Sequence, residues 1–219
     1  MPKFRTSQVV DAIRLTLGGA DERAAELRFR IKRLLAADRV LGIQPKSRDE
    51  ADRHYAFYDV SPPGTGADVL FGDYGAFSLL AGVRLLEHGL PQGTVIKLMR
   101  QLRSSLEKAH ANNLAKDSKA LFDEKAIYKS AQPGQLAFDS TSPVILVFMN
   151  LTGSSVDETA HPVGRVCDSQ RDMMAFILKQ GPGKGFTIFE FSRAIHDLSH
   201  NLAQTVPVKR GRVARRRPS

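Results

Sequence analysis

Apolar residues recur at spacings of three and four along most of this chain, and that rhythm predicts helices. Val9, Val10, Ile13 and Leu17 follow Thr6 and Ser7, either of which can cap a short helix, and Gly18-Gly19 stops it. Asp21 can open a longer one, whose Ala24, Leu27, Ile31, Leu34 and Leu35 share one face. Asp73 begins a third helix through Phe77, Leu80, Leu85 and Leu86, stopped at His88-Gly89. Pro91 opens a fourth, with Val95, Ile96, Leu98, Met99, Leu102 and Leu106. The run Pro143 to Leu151 is different: unbroken apolar residues of strand length predict a strand buried on both faces. Ser192 can cap a final helix with Ile195, Leu198 and Leu202 on one side.

The remaining stretches read as strands, turns and linkers. Val40 to Ile43 and His54 to Val60 suit two paired strands, with the polar segment Gln44 to Arg53 as a long exposed hairpin tip. Met174 to Lys179 and Phe186 to Phe191 flank Gly181 to Gly185, a punctuation that predicts a second hairpin. Residues 113–140, rich in Lys, Ala, Asn and Asp and marked by Pro133-Gly134, read as a connector. The expected class is α+β: a winged helix-turn-helix over residues 1–112, the connector, a small α+β domain over 141–206, and a disordered tail over 207–219.

Charge changes this picture at two places. The tail holds Lys209, Arg210, Arg212, Arg215, Arg216 and Arg217 and no acid, so it carries six of the nine net positive charges and has little to bury. Such an arm attracts polyanions without reading sequence. The body is left at +3, and within it Arg28, Arg30, Lys32 and Arg33 form a tight run, with Arg39 beyond. These side chains fall on the faces of the second helix opposite or flanking its apolar stripe. Lys46, Arg48 and Arg53 stand on the expected wing tip.

The order helix, turn, basic helix, wing and helix pair hinged at Glu87 to Pro91 resembles the MerR family of bacterial winged-helix regulators, over roughly Phe4 to Leu106. The resemblance implies that Arg28, Arg30, Lys32 and Arg33 lie near a recognition helix and that Lys46, Arg48 and Arg53 lie on its wing. The chain lacks that family's Arg-Tyr-Tyr segment and metal-sensing cysteines. The expected function is sequence-specific binding of double-stranded DNA by a homodimer in the cytoplasm, at the nucleoid. Its expected dimer surfaces are the helix Thr94 to Leu106 and the strand Val144 to Leu151. Two alternatives stand beside it: a C-terminal domain that binds or transforms a small molecule, and an RNA- or ribosome-associated protein.

Candidate chemistry elsewhere is thin. Cys167 is the only cysteine, which excludes an internal disulfide and points to a reducing compartment. His196 and His200 share a helical face, but no third ligand can be named. Gly181 to Gly185 lacks the Walker spacing, and Glu158, Asp168 and Asp172 read as solvated acids. The sequence therefore nominates no catalytic residue, no metal site and no cofactor, and it has no apolar stretch of membrane-spanning length.

Overall fold

The computed structural model describes residues 2–19, 21–62, 68–130, 136, 138–149 and 162–206. It is a mixed α+β fold in which helices predominate. A short strand β1 (Phe4–Arg5) leads into α1 (Thr6–Thr16), and a 3-10 turn at Asp21–Arg23 into α2 (Ala24–Leu41). A single-turn helix α3 (Glu50–Arg53) and strand β2 (Leu70–Phe71) precede α4 (Asp73–Glu87), α5 (Gln92–Gln101) and α6 (Arg103–Leu114). Two short helices, α7 (Ser118–Leu121) and α8 (Glu124–Ser130), come next. The chain continues through β3 (Ile145–Met149), β4 (Gly164–Cys167), α9 (Gln170–Lys179), β5 (Phe186–Glu190) and α10 (Ser192–Gln204).

Helix α4 is the centre. Its residues from Tyr74 to Val83 are all buried, as expected of a helix that is apolar on every side, and α1, α2, α5, α6 and α10 pack around it. Gly82 makes room on it: a Cβ there would stand 2.8 Å from the Phe57 ring. The helix stops where its sequence says, at Gly89, whose φ of +84° only glycine adopts without strain.

The antiparallel sheet has the order β4-β3-β5, so β3 is paired along both edges. It is also covered on both faces. Leu146 and Phe148 point into the main core with Phe189, while Ile145 and Val147 pack with Cys167 and with Met173 and Phe176 of α9. The expected central strand is therefore present and, over its described residues, interior rather than at a surface; Asn150 and Leu151 lie outside the described residues. The apolar residues of the expected helix Thr94 to Leu106 are committed to the core as well, with Val95, Ile96, Leu98 and Met99 of α5 fully buried.

That core runs from Phe4 to Leu202 and ignores the expected boundaries at 112 and 140. Helix α10 packs along α1, where Asn201 donates to the Thr16 hydroxyl at 3.1 Å and Gln8 donates to the Thr205 carbonyl at 3.2 Å. The expected connector is partly built in as well. Leu121 is buried, its carbonyl accepts from Thr141 N–H at 2.9 Å, and the Phe122 ring stands edge-on to His196.

Both expected hairpins are absent. Val40 and Leu41 finish α2, and Met174 to Lys179 lie in α9, leaving Gly181 to Gly185 as a helix-to-strand turn. The reason is clearest at His54 to Val60, whose backbone groups are claimed by side chains before a second strand can reach them. Asp38 accepts from Phe57 N–H at 3.1 Å, and Arg103 donates to the carbonyls of Tyr55 and of Tyr58, the latter at 2.9 Å. Tyr58 in turn donates its hydroxyl proton to the Leu35 carbonyl at 3.0 Å. Of the aromatic side chains that suggested a strand, Phe57 and Tyr58 are buried, and Tyr55 is half-buried with the Arg100 guanidinium of α5 over its ring.

Candidate nucleic-acid interface

Helix α2 holds one long face against the body through Leu27, Ile31, Leu34, Leu35 and Asp38. Asp38 is fully buried on that face. Arg100 of α5 meets it with an Nε–H bond of 2.8 Å to the carboxylate and a second of 2.8 Å to its backbone carbonyl. A buried carboxylate needs such partners, since taking an unpaired charge out of water costs several kcal/mol. This pair fixes how α2 rotates about its axis, and that rotation sets which side chains face solvent.

Arg28, Lys32 and Arg39 are exposed and follow one another along one side of the helix, with Ala36 between them. At 1.5 Å per residue they span roughly 16 Å along the axis, all on one side. Among the described residues none of the three has a carboxylate within ion-pairing distance. Phe29, 59% exposed, lies beside this row with the Arg33 guanidinium over its ring. Arg28, Lys32 and Arg33 thus fall on the outer face as the sequence implied.

Arg30 does not. It pairs with Glu26 and turns into a cleft of about 470 Å³ that also receives Arg14, Arg23, Arg84 and Glu87, where Arg84 and Glu87 pair at 3.2 Å. Helical periodicity explains the split, because Arg23, Glu26 and Arg30 follow at three and four on the flank next to α1 and α4.

Lys46, Arg48 and Arg53 are exposed in the segment after α2, Arg53 ending α3, with Asp49, Glu50 and Asp52 interleaved. No wing carries them. The tail residues Lys209, Arg210, Arg212, Arg215, Arg216 and Arg217 lie outside the described residues, as does Glu158.

Cys167, His196 and His200 have structural neighbours. Burial pushes the Cys167 thiol up to about 12, helped by its hydrogen bond to Asp172, so it stays protonated and unreactive at neutral pH. His196 donates to the Asn113 carbonyl at 3.2 Å and His200 meets Gln204, so the two imidazoles serve different partners. Periodicity did not reveal a second cleft, between α6 and the corner from β4 to α9, because its walls come together only in the folded chain. Among the described residues no helix is long and apolar enough to cross a membrane. No protein-family model and no curated protein sequence matches the chain.

Proposed function

We propose that the protein binds duplex DNA through the outer face of α2, as a regulatory or architectural protein working at the nucleoid. One observation carries the reading: Arg28, Lys32 and Arg39 form a solvent-facing row without neutralising carboxylates, on a helix whose rotation is pinned from the other side by Asp38 and Arg100. Fixed cations in a row suit phosphates, and a helix of this width enters a major groove. Phe29 adds an apolar contact for a base edge or methyl group. The tail, with six basic residues in its sequence, would supply sequence-blind attraction.

The test is fluorescence anisotropy with random duplex DNA, duplex from upstream of the gene, and RNA, each at two salt concentrations. Replacing Arg28, Lys32 and Arg39 together by Ala should weaken duplex binding and reduce the slope of log affinity against log salt by up to about three, roughly one for each phosphate deprived of its cation. An unchanged slope would refute the role of α2. Tighter binding of RNA than of either duplex would move the reading to an RNA-associated protein.

A further inference from the structure

We infer that the cleft between α6 and the β4–α9 corner is a binding site for a small zwitterion of the amino-acid class. Asn113 is the telling residue. It is 1% exposed, it lines this cleft of about 370 Å³, and neither its amide nitrogen nor its amide oxygen has a hydrogen-bond partner. A buried polar group left unpaired destabilises the fold, so a leucine here would be the cheaper choice for folding alone. The cleft is also at the small end of the range for ligand sites, roughly 300–1,000 Å³.

The two walls carry opposite charges that do not meet. Lys108 stands on α6 and Asp168 stands just past β4, and among the described residues neither has an ion-pair partner. Their neighbours are already engaged. Lys116 donates to the Ser142 hydroxyl, and Asp172 holds Arg165 at 2.7 Å while accepting from the Cys167 thiol. Val144, Val166 and the neutral thiol line the space between. A simple anion would face Asp168 and Asp172, and a simple amine would face Lys108 and Lys116. A ligand with both charges satisfies both walls, its carboxylate at Lys108 and its ammonium at Asp168, leaving its side chain for the Asn113 amide.

Isothermal titration of the full chain with each common L-amino acid tests this directly, alongside matched amines and carboxylic acids that lack the opposite charge. At least one amino acid should bind with one site per chain, and the singly charged analogues should bind at least about tenfold more weakly. Asp168→Asn and Asn113→Leu should each cost about tenfold, the loss of one good hydrogen bond, although Asn113→Leu raises the melting temperature of the free protein. Absence of heat with every amino acid would overturn the proposal, since an amide satisfied only by trapped water gives that result. So would binding that survives both substitutions, or analogues that bind as tightly as the zwitterion.

Discussion

The inner and outer faces of α2 carry similar residue types put to opposite uses. Inward, Asp38 is fully buried and every polar contact around it is made: two hydrogen bonds from Arg100 and one from Phe57 N–H. Outward, Arg28, Lys32 and Arg39 stand in solvent with no carboxylate beside them among the described residues. Arg30, between the two, is neutralised by Glu26. Which arginine is structural and which is available to a partner follows from the neighbours of each, and a count of charges cannot separate them.

The comparison breaks most visibly on the inner side. Asp38→Ala leaves Arg100 buried without a counter-charge and Phe57 N–H without its acceptor, and denaturant titration should show a loss of about 3–5 kcal/mol. The double variant Asp38→Leu with Arg100→Met should cost less than either single change, because it removes both charges from the interior. If Asp38→Ala instead costs no more than a surface substitution, α2 is not pinned as described and its outer face has no defined orientation.

His110 sharpens the contrast with a buried group that has no counter-ion. It is stacked on Phe77 at 5.0 Å, and burial, with a smaller contribution from nearby His196, lowers its pKa from 6.5 to about 4. The unfolded chain therefore takes up this proton first. Stability from the neutral imidazole is complete above pH 6.5 and is lost as pH falls through 4, on the order of 3 kcal/mol. Glu190 acts in the opposite direction. Burial and its hydrogen bond with Asp139 raise it from 4.5 to about 7, so its contribution is present below pH 4.5 and lost as pH rises through 7. His110→Leu should flatten only the acid side of the stability profile, measured by urea unfolding at a series of pH values.

How much of this was legible in the sequence depended on whether periodicity or long-range contact decided the element. The stripes of α1, α2, α4 and α5 were readable because a 3.6-residue repeat is local, and the unbroken run at β3 because burial on both faces leaves no polar position. The hairpin at 40–60 failed because Asp38 and Arg103, 19 and 45 residues from their backbone partners Phe57 and Tyr58, capture that backbone. The expectation of two separate domains failed for the same reason: α10 meets α1 across nearly the whole chain, as the bond between Asn201 and Thr16 shows. At the candidate interface, Arg28, Lys32 and Arg33 were legible from helical phase, whereas the turn of Arg30 toward Glu26 and the pairing of Asp38 required the neighbouring helices.

On the outer side the expected stability effects are the smallest. Replacing Arg28, Lys32 and Arg39 by Ala should each change unfolding free energy by no more than about 0.5 kcal/mol, the usual range for a surface position without partners. The most direct test of the central claim is photo-crosslinking to duplex DNA with benzoylphenylalanine placed at Phe29 on the outer face of α2, 59% exposed, and, separately, at Tyr128 on α8, which is more open still at 78% exposed. Irradiation should yield a protein–DNA adduct from position 29 that high salt suppresses, and little or none from position 128. Equal adducts from both positions, or adducts from 128 alone, would contradict the account.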